Sequence, residues 1–445
     1  MYLRRKIDGF LSDWKSNQSR KPLIIKGTRQ VGKTRSVSNF GKRNYKSFVE
    51  INFVLSPKYR AIFDDGYSVD DILKNISLVN PSVDFIEGDT LLFFDEMQQC
   101  PACATSLKSF ALDGRYDVIC SGSLMGINYN EIESNSVGYK EDYTMHSLDF
   151  EEFLWANGIS ESQINRLQES MIAVKPLSSL EMDVFSSHFR NYMVLGGMPA
   201  VVFAFLSTGQ FSSPYHIQKQ LLVDYEEDIT KYAVGLDKGR VKNVYNNIAY
   251  FLSKENKKFQ ITKVAKNART RDYVGVVDWL NDAGIINLCY CLNLPELPLK
   301  GNYNPAAFKV YFKDTGLLIA SLDDEAQIDI RENKNFNTYK GAIYENIVAD
   351  MLVKAGYSLY YYRNEKSTIE MDFFVRGVDS LIPLEVKAGD KSSPSLRRLV
   401  ESDKYDEIKV GIKLGRNNIG FNGSFYTFPY FLTFLLPDFI RSTKL

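Results

Sequence analysis

The eight residues Gly27-Thr28-Arg29-Gln30-Val31-Gly32-Lys33-Thr34 satisfy the pattern G-x-x-x-x-G-K-[ST] at every fixed position. Few short patterns constrain a fold as tightly. The pattern works only where a strand delivers a loop whose backbone N–H groups close around a β-phosphate, with a helix starting directly behind it. Both flanks are present. Pro22-Leu23-Ile24-Ile25 is an apolar run of buried-strand type, and the segment after Lys33 has helical character. In this arrangement Gly27, Thr28, Arg29, Gln30, Val31 and Gly32 cradle phosphate, Lys33 reaches the β/γ oxygens, and the Thr34 hydroxyl coordinates Mg²⁺. The expectation is an α/β P-loop domain that binds ATP with Mg²⁺.

Such a site needs an acid on a second buried strand. Thr90-Leu91-Leu92-Phe93-Phe94-Asp95-Glu96 supplies it as a continuous apolar run ending in two carboxylates. Asp95 is placed to support Mg²⁺ opposite Thr34, and Glu96 to polarise an attacking water. A third strand, Tyr116 to Cys120, ends in Ser121-Gly122-Ser123, where Ser121 or Ser123 can sense the γ-phosphate. Ser47 to Phe53 alternates as a further strand. Arg29 and Arg35 flank the loop and either touch phosphate or a neighbouring subunit, or are surface charge. Strand–helix alternation over 20–125 predicts a parallel sheet covered on both faces.

Length and charge set the limits. A chain of 445 residues suits two or three domains with ample cores. Lys plus Arg equals Asp plus Glu at 54 each, so no global field recruits nucleic acid or a membrane. Residues 1–60 nevertheless carry 15 Lys/Arg against Asp8, Asp13 and Glu50, which reads as a solvated basic face. Five cysteines make no disulfide scaffold. Cys100-Pro-Ala-Cys103 and Cys289-Tyr-Cys291 lack nearby histidines, so reduced thiols are expected and not zinc. The N-terminus has no signal-peptide core, and the apolar segment Phe425 to Leu436 is broken by Pro429 and too short for a bilayer span of about 20 residues. A soluble, cytoplasmic protein without membrane contact is the expectation.

The middle of the chain reads as connection. Residues 145–235 are helical in pattern, with a break at Gly196-Gly197-Met198-Pro199. Asp224, Glu226, Glu227 and Asp228 form a solvated acidic helix face. From 236 to 295 short helices around Ile261–Ala265 and Asp272–Leu280 precede the strand Asn287–Tyr290, the order of a winged helix-turn-helix. Residues 254–271 hold seven Lys/Arg and one Glu, which suits phosphate contact. A packing unit between domains is the equal alternative.

The final 130 residues carry a second chemical pattern. A helix over 341–354 bears Glu345 beside its apolar stripe. The strand Leu359–Tyr362 is followed by Ile369–Val375, which contains Asp372, and by Leu381–Lys387, which contains Glu385 and Lys387. Alternation puts Asp372 and Glu385 on one face of an antiparallel pair. Adjacent carboxylates ask for a cation, and oxygen-only ligands favour Mg²⁺ or Mn²⁺. Glu345 would complete the metal set, and Lys387 would activate water or stabilise developing charge. Glu … Asp … Glu-x-Lys is the pattern of the PD-(D/E)xK nucleases. Exposed strand charges, or a nuclease-like fold that no longer cuts, fit the same residues.

Over nearly its full length the chain resembles a large prokaryotic family of AAA-like ATPases with a C-terminal domain of unknown function. The resemblance rests on Gly27–Thr34, Asp95–Gln98, Ser121–Ser123, Leu148–Leu154, Gly196–Pro199, Trp279–Gly284, Tyr311–Leu318 and Pro383–Lys387. It implies an AAA-like ATPase core, a winged-helix region and a restriction-endonuclease-like terminal domain. The expected division is 1–155, 156–235, 236–305 and 306–445 for ATPase, helical connection, winged helix and nuclease-like domain. Many relatives carry Arg after a Gly near the end of the ATPase core, where this chain has Gly138-Tyr139. An arginine finger at that point is therefore not expected, and Arg29, Arg35 or another chain's Arg are the remaining candidates. Two functions follow. In one, a Mg²⁺-dependent ATPase is coupled to a nuclease-like domain acting on DNA or RNA. In the other, an ATP-driven switch, open to oligomerisation, uses a non-cutting C-terminal module to bind protein partners. A small-molecule kinase lacks an acceptor-binding constellation.

Overall fold

The computed structural model describes residues 2–124, 136–233, 235–252, 273, 275–322, 324–332, 334, 337–364, 369–387 and 392–445. The chain divides into two compact units, Met1–Ser147 and Leu148–Leu445.

The first unit is built on strands β1 (Leu23–Gly27), β2 (Ser47–Asn52), β3 (Thr90–Asp95), β4 (Asp117–Ser123) and β5 (Glu141–Thr144). They pair all in parallel in the order β2-β3-β4-β1-β5. Helices α1 (Lys6–Ser16), α2 (Lys33–Asn44), α3 (Val69–Val79) and α4 (Ala102–Asp113) cover it. The apolar runs of β1, β3 and β4 are continuous because both sheet faces are buried. Leu23, Ile25, Leu91, Phe93 and Ile119 pack with Ile7, Leu11 and Trp14 of α1 and Val37 and Phe40 of α2. The alternate residues Ile24, Leu92, Phe94, Val118 and Cys120 pack with Ile72 and Ile76 of α3 and Leu107 and Phe110 of α4. Each large side chain buried this way contributes about 1.5–3 kcal/mol, and together they fix the two strand ends that carry the site.

The second unit opens with helices α5 (Phe150–Ala156), α6 (Glu161–Ile172), α7 (Ser179–Leu195), α8 (Pro199–Thr208), α9 (Ser212–Tyr232) and α10 (Lys238–Leu252). Then follow α11 (Val276–Asp282), β6 (Ile286–Leu292), β7 (Tyr303–Phe312), α12 (Thr315–Ala320), α13 (Ala326–Arg331) and α14 (Asn337–Lys354). The terminal region contains β8 (Leu359–Arg363), β9 (Glu370–Met371), β10 (Phe373–Arg376), β11 (Leu381–Val386), α15 (Pro394–Val400), β12 (Gly411–Gly415), β13 (Gly420–Phe421), β14 (Phe425–Pro429) and α16 (Leu436–Thr443).

Two sheets organise this unit, β7-β6-β8-β9 and β10-β11-β12-β14-β13. The strand expected as a wing, β6, pairs antiparallel with β7 and also parallel with β8. It is therefore an interior strand of a larger sheet. The helix expected around Ile261–Ala265 and the basic run 254–271 lie outside the described residues.

Gly196-Gly197 and Asp314 form a close joint inside the unit. Asp314 caps α12 by accepting the Leu317 N–H at 3.1 Å, and also accepts the Gly197 N–H at 2.8 Å. A Cβ on Gly197 would sit 2.0 Å from the Leu148 carbonyl oxygen. Gly196 lies at φ 70°, and a Cβ there would meet an Asp314 oxygen at 1.9 Å. The break at 196–199 and the Tyr311–Leu318 segment are thus two halves of one packing contact.

Among the described residues no helix is long and apolar enough to cross a membrane. The five cysteines are free thiols, and Cys103 and Cys120 are buried 3.5 Å apart in the first unit's core.

Candidate nucleotide site and C-terminal carboxylate cluster

The loop Gly27–Thr34 runs from the end of β1 into α2. Its turn needs left-handed backbone at Gln30 (φ 64°) and at Gly32 (φ 98°). Gly27 is required for space, since a Cβ there would lie 2.3 Å from the Met145 carbonyl oxygen. Thr28, Val31 and Lys33 are buried, and Arg35 is exposed on the first turn of α2.

Lys33 points into the loop. Its ammonium donates to the carbonyl oxygens of Gly27 at 3.0 Å and Thr28 at 2.8 Å. Burial pulls its pKa down to about 8, and Arg29 adds to the fall. Glu96 and Asp95 oppose it without reversing it.

Asp95, at the end of β3, is held by three donors. Thr34 Oγ1 donates to Oδ2 at 3.0 Å, Asn52 Nδ2 donates to Oδ2 at 2.8 Å, and the Ser121 hydroxyl donates to Oδ1. The parallel register sets this up, because Asn52 is the β2 partner of Asp95. Ser121 therefore orients the acid. Ser123 is the β4 partner of Gly27, and its buried hydroxyl has no hydrogen-bond partner among the described residues. Of the two serines, Ser123 is the one left with a hydrogen bond to offer a phosphate oxygen.

Glu96 follows β3 in the left-handed region at φ 58°, ψ 45°. For a residue with a Cβ this costs on the order of 1 kcal/mol or more. It turns the carboxylate out of the strand, where Gln98 Nε2 donates to it.

Two residues of this site were not legible as functional. Asn52 reads as an ordinary strand end. Arg5 belongs to the segment expected to be a solvated basic face, yet it is buried and donates to the carbonyl oxygens of Val31 and His146, both at 2.8 Å. It braces the phosphate loop from behind. No motif marks either residue, because their roles come from register and chain return.

The donor set fits ATP with Mg²⁺. A strained N–H-rich loop, an inward lysine, and a hydroxyl bonded to a triply oriented carboxylate are what a metal–triphosphate requires.

Residues 19–154 match the family model described as an AAA domain. The first unit is AAA-like. Residues 186–327 and 340–431 match two further families, each described as a domain of unknown function, DUF8612 and DUF4143. No curated protein matches the chain significantly. Solved structures similar to it include the Walker-type ATPase PABY2304 of Pyrococcus abyssi, 13% identical, covering 72% of this chain and 96% of that one, with a TM-score of 0.43. The ORC2 protein of Aeropyrum pernix, solved as ADPNP–ADP complexes, is 12% identical over 75% of this chain and 94% of its own, with a TM-score of 0.38. The ORC1 protein of the same organism, in complex with DNA, is 11% identical over 74% and 91%, with a TM-score of 0.28.

The C-terminal residues meet differently from expectation. The β10–β11 register ends at Phe373 opposite Leu384, with Asp372 and Glu385 the next residues on each chain, and Asp372 Oδ2 accepts the Val386 N–H at 2.9 Å. Lys387 Nζ lies 2.7 Å from Glu385 Oε1. Glu345 is buried on α14 and accepts from the Tyr311 hydroxyl at 3.2 Å.

The residue that sequence reasoning missed is Lys309 of β7. It is fully buried, 3.9 Å from Glu345 and 3.5 Å from Glu370. Burial works against both lysine charges, but the carboxylates outweigh it and raise both pKa values. Glu345, Asp372 and Glu370 act on Lys309, and Glu385, Asp372 and Glu345 on Lys387. Among the described residues no group of three or more His, Cys, Asp or Glu side chains is arranged to hold a metal ion. The set expected to hold Mg²⁺ or Mn²⁺, Asp372, Glu385 and Glu345, therefore has a second ammonium beside it, Lys309. Lys387 pairs with Glu385 Oε1, while the buried Glu385 Oε2 has no hydrogen-bond partner among the described residues.

Proposed function

We propose that the protein is a Mg²⁺-dependent ATPase whose C-terminal domain binds a partner and does not cut one. The observation that carries the first half is the Thr34–Asp95 hydrogen bond beside the inward Lys33. Thr34 and Asp95 would hold Mg²⁺, which supplies charge neutralisation on the β and γ oxygens when bound. The other roles belong to the chain. Lys33 exchanges two backbone carbonyls for phosphate oxygens, Asn52 and Ser121 keep Asp95 from rotating, and Ser123 offers a hydroxyl beside Gly27. Glu96, turned out of β3 by its backbone, accepts a proton from the attacking water and aligns it.

For the second half, the support is Lys309. The order α14, β8, β9–β10, β11, α15, β12 follows the helix–strand plan of the PD-(D/E)xK fold, with an antiparallel β10–β11 pair and a parallel β11–β12 pair. The ammonium inside the carboxylate cluster turns that plan from metal binding toward a static ion-pair core.

The test is in two parts. Lys33→Ala should abolish ATP binding, Glu96→Gln should bind ATP without turnover, and Asp372→Ala should leave turnover intact. Hydrolysis that survives both Lys33→Ala and Glu96→Gln would sink the ATPase reading. Cleavage of single- or double-stranded DNA or RNA in Mg²⁺ or Mn²⁺, lost in Asp372→Ala, would overturn the non-cutting assignment.

A further inference from the structure

The second unit contains a cavity of about 420 Å³ that none of the roles above uses. This is large enough for a nucleotide-sized ligand. Arg190, Arg331 and Arg416 line it, together with the rings of Phe189, Tyr344 and Tyr430. A smaller adjoining cavity shares Arg190 and Tyr344 and adds Lys334 and Lys340. Among the described residues no acidic side chain lines either one. Five cationic side chains therefore converge on one region of a chain whose overall charge is balanced, one of them, Lys334, paired with Glu332.

The aromatic groups form a column. Tyr344 and Tyr430 stack with centroids 4.3 Å apart and planes 19° apart, and Phe189 lies parallel to Tyr430 at 6.1 Å and 8°. Two of the arginines are set by aromatic neighbours. Arg416 donates to the Tyr344 hydroxyl at 3.4 Å, and the Arg331 guanidinium sits 3.9 Å over the Phe211 ring. Burial lowers the Lys340 pKa, and Arg416 lowers it further.

We propose that this cavity binds a nucleotide, either free or as one unit of a single strand, with phosphate on Arg331 and Arg416 and the base against the Tyr344–Tyr430 column. Guanidinium forks match phosphate oxygens bidentately, and aromatic faces stack any base. An acidic peptide would engage the arginines and leave the ring column unused. The Tyr430 hydroxyl donates to the Lys387 carbonyl oxygen, so the cavity adjoins the strand bearing Glu385. The assignment is independent of whether that strand performs chemistry.

The experiment uses the full chain carrying Lys33→Ala, in EDTA, so that neither the phosphate loop nor a metal contributes. Fluorescein-labelled 12-residue single-stranded DNA and RNA serve as probes in anisotropy, with AMP and adenosine as competitors. Binding should be salt-dependent. Arg416→Ala and Arg331→Ala, both at exposed positions, should each weaken it about tenfold and lower the log–log salt slope by about 0.7. Tyr344→Leu should weaken it roughly tenfold with an unchanged slope. Displacement by AMP and not by adenosine assigns a free nucleotide, and strand binding that resists AMP assigns a strand. Absence of binding by every probe, or affinity unchanged in the Arg331→Ala/Arg416→Ala double variant, overturns the proposal. The exposed arginine variants keep that outcome readable if Tyr344→Leu fails to fold.

Discussion

Lys33 makes nucleotide binding a proton-coupled event with a definite sign. Without nucleotide its pKa is held near 8 by burial, against about 10.4 for a free lysine. A bound triphosphate supplies the opposite charge that favours the ammonium, so the pKa in the complex rises toward or above the free value. At pH 7 the lysine is protonated in both states and binding takes up almost no proton. At pH 8 the free protein is half deprotonated and uptake is about 0.5, and at pH 9 it is about 0.9. Between pH 8 and 10 the affinity should therefore fall by about a decade per pH unit. The same depressed pKa makes Lys33 a cost to folding below about pH 8, relieved as pH climbs from 8 through the unfolded value. Titration calorimetry in buffers of different ionisation enthalpy measures the uptake directly. Working above pH 7.5 keeps the terminal phosphate ionised, since its second pKa is about 6. Lys33→Arg is the control, because arginine stays charged throughout and should abolish the pH-dependent uptake. Uptake that stays flat from pH 7.5 to 9, or that persists in Lys33→Arg, would refute the reasoning.

Other substitutions separate structure from chemistry. Asp314→Ala removes the α12 cap, worth about 1 kcal/mol, and strands the buried Gly197 N–H, worth about 1–3 kcal/mol. The second unit should lose about 2–4 kcal/mol in urea unfolding followed by fluorescence, with Asp314→Asn losing much less. Gly27→Ala drives a Cβ against backbone at 2.3 Å and should weaken ATP binding more than tenfold in a nucleotide titration. Gly9→Ala, in α1 with nothing within 4 Å, should instead stabilise by about 0.4–1 kcal/mol in thermal unfolding.

The nucleotide site was legible where chemistry is local. Lys33, Thr34 and Asp95 announce themselves because a glycine-bounded loop and a fully apolar strand are patterns contiguous in sequence. Ser121 and Ser123 were visible as a pair, but only the fold bonds Ser121 to Asp95 and sets Ser123 opposite Gly27. Arg5 and Asn52 were hidden, because one acts through chain return onto Val31 and the other through a neighbouring strand. Asp372, Glu385 and Lys387 were correctly read as neighbours. Lys309 was not legible, because it lies 63 positions before Asp372 in sequence and reaches the cluster only because β7 packs there. A charge that arrives from a distant strand adds to the cluster without leaving a trace in the motif.

The joint around Gly197 also bears on how the protein is made. Lys354 donates to the Leu148 carbonyl oxygen at 3.2 Å across a separation of 206 residues, and Gly197 pairs with Asp314 across 117. At about 5–20 residues per second, a ribosome needs roughly 10–40 s to span the first of these distances. For that interval α5 and α7 are made and can pack on each other through Phe150 and Phe189, but α14 is not. The first unit, complete by Ser147, can fold while it waits. The second unit must be kept from misassociating until α14 emerges, so its yield in a cell should depend on elongation rate and chaperone supply more than on its final stability.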